Sequence, residues 1–218
     1  MGQKINPQIL RLGPLYNWES RWFSQKQYKQ TVLEDYHLRK ALMEKLKYTG
    51  IARVEIERSI NNIRFILYVA RPGMVIGRAG SGLEDIKKFI NELFEKYHHQ
   101  KNQKQFPKVD IKVEPVKEPN LDAYLVARNV ADQLIRRLPH KRVLGQTSER
   151  VMSAGAKGVR ILLAGRVGGA EIARREKIQV GTVPLSTIRA HITFASVPSL
   201  TKKGYVGVKV WIHKPEEK

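Results

Sequence analysis

The chain has 218 residues and a mass of 25.0 kDa, enough for one large domain or two small ones that each bury a core. It carries 40 Lys and Arg against 20 Asp and Glu, a formal charge of +20, with 42% hydrophobic residues and no cysteine. That composition excludes disorder, disulfides, cysteine-bound zinc, iron–sulfur clusters and a cysteine nucleophile, and the charge asks for a polyanionic partner, most often nucleic acid. No apolar run reaches the ~18 residues of a membrane span. Met1 to Pro7 lacks the apolar stretch of a secretory signal, and Asn6 stands where a myristoylation motif needs Ser or Thr.

Residues 1–30 are basic and aromatic, with Trp18, Trp22, Phe23 and Tyr28, and read as a largely irregular arm. Thr31 and Glu34 have capping-box spacing and predict a helix from there to Gly50, with Leu38, Leu42 and Leu46 along one face. Val54 and Ile56 alternate with Glu55 and Glu57 in a first strand, Asn61-Asn62 reads as a turn, and Ile63 to Ala70 is a second, almost continuously apolar strand. Met74, Val75 and Ile76 form a short apolar helix that runs into Gly77-Arg78-Ala79-Gly80. Ser81 and Glu84 repeat the capping-box spacing before a helix with Ile86, Phe89, Ile90 and Leu93 on its buried side. Residues 98–108 read as a polar loop, and Val109, Ile111 and Val113 as a third strand. Pro115 and Pro119 bracket a linker, which places a domain boundary near 117.

Beyond it, Asn120 is expected to cap a helix with Leu121, Leu125, Val126, Val130, Leu134 and Leu138 as its apolar stripe, ended by Pro139. A second helix is expected over Gln146 to Ala154, then strands at 158–166, 171–180, 189–196 and 204–213. The organisation is an arm (1–30), a first domain (31–116), a second (117–214) and a short tail (215–218). The fold class is α+β, with helices packed on a mostly antiparallel sheet in the second domain.

Three segments carry chemistry. Gly77-Arg78-Ala79-Gly80 lets a nucleic-acid backbone come close where no Cβ intrudes, with free amides at the next helix start and a cation from Arg78. Alone, such a glycine pair also marks ordinary turns. Here the order is helix, two strands, short helix, G-x-x-G, helix, strand, which is that of a type II KH domain, whose loop clamps single-stranded nucleic acid. The second segment holds Arg136, Arg137, His140, Lys141 and Arg142 without a carboxylate; it reads as a solvated helix end or as a phosphate-facing patch. The third interleaves glycine with cations: Lys157, Arg160, Arg166, Arg174 and Arg175. Its glycines fit neither a dinucleotide fingerprint nor a P-loop. They suit backbone lying against RNA, or a Gly-rich hairpin bend.

The KH core, together with GAKG at 155–158, GRVGGAEIAR at 165–174, VPLSTIRA at 183–190, GVKVWIHK at 207–214 and the opening MGQKINP, closely resembles the bacterial-type family of small-subunit ribosomal protein number three. The resemblance implies a structural, non-enzymatic ribosomal protein of the cytoplasm or an organelle, without cofactor or metal. It implies a place in the head of the 30S subunit, bound to 16S rRNA and neighbouring head proteins, at the entrance where mRNA threads in. Gly77, Arg78, Ala79 and Gly80 would be the KH loop. Lys141 and Arg142 would face the incoming message, and Arg136, Arg137, Lys157, Arg160, Arg166, Arg174 and Arg175 would contact rRNA. Two positions depart from the family pattern: Arg78-Ala79 replaces a pair richer in lysine, and Gly145 stands where a third channel cation is usual.

Rival readings are a free KH-domain RNA chaperone or assembly factor, with Val75, Ile76 and Ile86 lining its groove, and a strand-cleaving lyase, for which no activated lysine stands out. His98-His99 reads as loop rather than metal ligand, Trp18, Trp22 and Tyr28 as packing rather than base stacking, and Glu55 and Glu57 as surface charge beside Arg53 and Arg58. Trp211, opposite the valines of its strand, is open to base stacking or a protein contact.

Overall fold

The computed structural model describes residues 4–59, 61–98 and 108–215. In chain order it contains α1 (Pro7–Leu10), β1 (Ser20–Arg21), α2 (Tyr28–Lys45), β2 (Ile51–Arg58), β3 (Asn62–Val69), α3 (Pro72–Ile76), α4 (Ser81–His98), β4 (Lys108–Pro115), α5 (Ala123–Ile135), α6 (His140–Ser153), β5 (Gly158–Gly165), β6 (Arg174–Gly181), β7 (Ile192–Thr201) and β8 (Gly204–His213). Contacts divide the chain into Trp18–Lys117 and a discontinuous unit of Met1–Asn17 with Glu118–Lys218.

In Trp18–Lys117, the leucines at every fourth position of α2 do what their spacing requires. Leu38 and Leu42 are fully buried and Leu46 nearly so, against Val54, Ile56, Phe65 and Leu67 of the sheet and Ile86, Ile90 and Phe94 of α4. Each such leucine contributes about 2–3 kcal/mol of transfer free energy. The sheet runs β1-β2-β3-β4, with β2 and β3 antiparallel and β3 and β4 parallel, the KH arrangement read from the sequence. The two-residue β1, parallel to β2, is too short to show a period in the sequence.

Both expected capping boxes are absent. Helix α2 starts three residues early, at Tyr28, and the Thr31 hydroxyl donates to the Gln27 carbonyl at 3.0 Å from inside the helix. Ser81 is already helical (φ −55°, ψ −37°) and cannot take the extended conformation of an N-cap.

The other unit is an antiparallel sheet in the order β6-β5-β8-β7, with α5 over β7 and β8 and α6 over β5 and β6. Strand alternation sends Val159, Ile161, Leu163, Val206, Val208, Val210 and Ile212 toward the helices, where all are buried. Helix α5 meets them with small residues, Ala123, Ala127 and Ala131 beside Val126 and Val130, while Leu138 lies beyond the helix and is exposed. Its cap is Asp122 rather than Asn120: the carboxylate accepts from the amides of Tyr124 and Leu125 at 2.9 and 3.1 Å, after Pro119–Leu121 make one tight turn.

The expected arm does not stay in one piece. Asn6 caps α1 through the Gln8 amide at 2.9 Å, and the segment through Asn17 folds with Glu118–Lys218, while Ser20 and Arg21 join the KH sheet. The anchor is Arg11, fully buried. Its guanidinium donates to the carbonyls of Pro7, Ala190, Thr187, Leu185 and Pro184 at 2.8, 2.7, 2.8, 3.1 and 3.3 Å, and burial lowers its pKa from the ordinary value.

Candidate nucleic-acid interface

The G-x-x-G loop is built from backbone conformations that most residues avoid. Gly77 has φ +71°, Ala79 φ +51° and Gly80 φ +85°. A Cβ on Gly77 would lie 2.8 Å from the amide nitrogen of Gly82, and one on Gly82 would overlap the Val75 carbonyl oxygen, whereas one on Gly80 would meet open space. So Gly82, outside the motif, is the glycine that lets α4 start tight against α3. Only packing reveals it. Arg78 and Ala79 stand exposed between Ile76, itself 38% exposed, and the head of α4. Val75 and Ile86, expected in a groove, are core residues at 1% and 3% exposure, which leaves Ile76 as the accessible apolar contact.

The Arg136–Arg142 cluster is not a single helix end. Arg136 caps the C-terminus of α5 and Arg137 follows at φ +63°, where cations suit the helix dipole. Lys141 and Arg142, both exposed, stand in the first turn of α6, which begins six residues before the predicted Gln146. There cations oppose the dipole. The turn holds no acid, and Pro139 supplies no side-chain cap, so free amides and two cations face the same way. Gly145, three and four residues on, shares that side, and a Cβ there would meet nothing within 4 Å. Gly145→Arg is expected to raise the denaturation midpoint by less than Gly145→Ala does, because the about 1 kcal/mol that helix propensity offers is partly offset by repulsion from Lys141 and Arg142 four and three residues back. It also supplies the cation the family pattern carries.

Beside α6, His140 Nε2 lies 3.0 Å and Arg174 Nε 3.4 Å from the two oxygens of Glu176. Arg166 donates to the Ala170 carbonyl at 2.8 Å and Lys203 to the Gly169 carbonyl at 3.3 Å. Arg166 and Lys203 therefore hold the glycine turn at 167–169, Arg174 and His140 share Glu176 beside it, and the sequence reading missed Lys203 and Glu176. Arg175, adjacent in sequence, faces the opposite side of the sheet with Arg160. Lys157 precedes the far end of β5, about 23 Å from Gly165 at ~3.3 Å per residue.

Other candidates settle into packing. Trp211 is 8% exposed, lies 5.1 Å from Phe194 and carries the Arg160 guanidinium 5.1 Å above its ring, so its face is taken. Trp22 donates to Asp35 at 2.8 Å and packs 5.4 Å from Tyr28, but Trp18 stays 70% exposed. Glu55 is buried between Arg21 and Arg53 at 3.0 and 3.3 Å, and Glu57 pairs with Arg21 and Arg64. Arg58, expected beside Glu57, turns instead to Glu34 and Asp35, which approach from α2. His99 and the rest of the loop through 107 lie outside the described residues. Among the described residues no group of three or more His, Asp or Glu is placed to hold a metal ion.

A KH loop between α3 and α4, and a second α+β unit that exposes many cations, define an RNA-binding protein. The KH domain model matches residues 37–121, and the model for the ribosomal protein S3 C-terminal domain matches residues 130–212. The chain is 44% identical to the small ribosomal subunit protein uS3 of Lactobacillus helveticus over 216 residues, 99% of this chain and 92% of that one. Against the uS3 proteins of Desulfosudis oleivorans and Bacillus cytotoxicus it is 45% and 43% identical, covering 96% and 94% of those chains. The chain belongs to the uS3 family of ribosomal proteins and is a structural constituent of the small subunit, not an enzyme.

Proposed function

We propose that this protein anchors in the head of the small subunit on 16S rRNA and lines the mRNA entrance of a cytoplasmic ribosome. The observation that carries the second part is the first turn of α6, where Lys141 and Arg142 are exposed against the helix dipole without an acidic neighbour in the turn. A folded chain accepts that electrostatic cost where a polyanion comes to meet it. Phosphates passing this turn would be held without sequence selection, which suits a surface that must accept every message. Gly77, Arg78, Ala79 and Gly80 would clamp an unpaired rRNA strand. Arg136, Arg137, Lys157, Arg160, Arg174 and Arg175 would contact rRNA phosphates, with Arg166 bracing the turn beside the message path. The bacterial origin of the relatives supports the cytoplasmic assignment.

Two variants test this. Gly80→Asp puts a carboxylate where phosphate belongs, without steric contact but at a positive φ that strains any side chain. It is expected to weaken binding of a single-stranded RNA about 10- to 100-fold, with the thermal melt lowered only by the backbone strain of about 1–2 kcal/mol that Gly80→Ala shares. Unchanged affinity would remove the KH loop from the interface. Lys141→Ala with Arg142→Ala is expected to leave the protein in 30S subunits on a high-salt sucrose gradient and to slow translation of structured messages. Failure of the double variant to enter subunits would make these residues rRNA anchors, and a wild-type chain left at the top of the gradient would favour a free KH factor.

A further inference from the structure

We infer that the face of the β6-β5-β8-β7 sheet turned away from α5 and α6 is a second RNA-docking surface, shaped for the phosphate backbone of a paired rRNA stem. This rests on the reading of the chain as an rRNA-bound protein and adds a partner and a surface to it. The segment Arg174-Arg175-Glu176-Lys177 shows how the face arises. Residues two apart share a side of a strand, so Arg174 and Glu176 pair on the helix side while Arg175 and Lys177 go to the open side. In register with them, Leu162 lies between Lys177 on β6 and Lys209 on β8. The two lysines are therefore about 9.5 Å apart, at ~4.8 Å per strand step. Arg160 lies two residues along β5, and Lys4 rims the same groove of about 1220 Å³.

None of the open-face positions of the four strands carries a carboxylate. Arg175, Lys177, Lys209 and Lys4 are exposed and have no ion-pair partner among the described residues. This contrasts with the KH sheet, where Glu55 and Glu57 neutralise arginines. The charge therefore fits a polyanion. The floor decides which kind: Trp211 is packed beneath Arg160 and against Phe194, and Tyr205 at the far end of β8 is the one exposed ring among the open-face residues of the four strands, so successive splayed bases find no run of rings to stack on. A stem, whose bases already stack on one another and whose recognition runs through phosphates and shape, needs none.

The test is fluorescence anisotropy of the full chain with a mixed-sequence RNA duplex of about 16–20 base pairs and, separately, a single-stranded RNA. Arg175→Glu with Lys177→Glu and Lys209→Glu is expected to weaken duplex binding on the order of 10²-fold and to flatten the log–log salt slope by about 2–3. The Gln triple should give the same direction with a smaller loss. Arg160 is left in place because it packs on Trp211, and the melt checks that the fold survives. Gly80→Asp should lower single-strand binding and spare the duplex. Reversing Lys29, Lys40 and Lys87, exposed on the KH unit, changes net charge equally; an equal loss of duplex binding there would overturn the assignment. So would a triple variant that holds the duplex as well as wild type, or a polyglutamate peptide that displaces the duplex through the same residues. A wild-type chain that binds neither RNA would overturn the rRNA reading itself.

Discussion

Replacing Arg11 with Ala is expected to destabilise the unit formed by Met1–Asn17 and Glu118–Lys218 by about 3–5 kcal/mol. The guanidinium is buried, holds five carbonyl oxygens, and no carboxylate is among its hydrogen-bond partners. Arginine brings five N–H donors in a fixed fork and keeps its proton, so the side chain is matched to a ring of backbone acceptors. Truncation strands those carbonyls away from water and frees the 184–190 loop. Arg11→Lys restores charge but offers three donors from one nitrogen, so it should recover only part of the loss. With Trp18 and Trp22 changed to Phe, Trp211 fluorescence reports this unit alone during denaturant unfolding. Its transition should move to lower denaturant while the KH unit's transition, followed by a separate label, stays put. A midpoint unmoved by Arg11→Ala would mean the five contacts contribute nothing to the folded state.

Gly82→Ala should be the most damaging single-methyl change in the KH unit. The added Cβ would overlap the Val75 carbonyl oxygen and lie 3.1 Å from that of Ile76, and backbone on both sides leaves no rotamer as an escape. Separating α3 from α4 costs about 1–3 kcal/mol as overpacking and opens the loop between them. Single-strand RNA binding should fall at least about tenfold, roughly 1.4 kcal/mol. Gly80→Ala is the comparison: it meets nothing within 4 Å but keeps φ at +85°, a strain of about 1–2 kcal/mol without a clash. Binding should then track Gly82 more steeply than Gly80. Wild-type affinity in Gly82→Ala would show that the α3–α4 approach does not shape the loop.

The contrast between these glycines marks what a one-dimensional reading can reach. Periodicity carried the KH order and the alternating strands, because Leu38, Leu42 and Leu46, or Val206, Val208, Val210 and Ile212, repeat the geometry of their own elements. Helix starts were the weak point. Thr31, Ser81 and Asn120 all have capping chemistry, and in each case the neighbouring backbone settled the cap elsewhere. The start of α6 was hidden by Gly145, a poor helix former whose cost is met by Val143, Leu144 and Val151 packing beneath it. Pairing across space was out of reach: nothing near Arg58 in the chain names Glu34 and Asp35, and nothing near Arg11 names Ala190. The cations of the candidate site were all visible as residues. Which of them share a surface depends on strand register, and so Lys177, Lys209 and Lys203 carry no signal of it in the sequence.

The contact between Arg11 and Ala190 spans 179 residues, and that span sets an order of assembly during synthesis. Trp18–Lys117 is continuous and can fold as soon as it clears the ribosome that is making it. The segment before it must wait for the 184–190 loop. At about 5–20 residues per second, the delay is roughly 9–36 s. Through that interval the first segment of the nascent chain travels without its permanent seat, and over roughly the last 4–15 s of it, once Lys117 has been made, it is tethered to a KH module whose chain is complete. A new copy of this protein is thus able to engage RNA with its KH loop before its own amino-terminal segment has closed onto the fold.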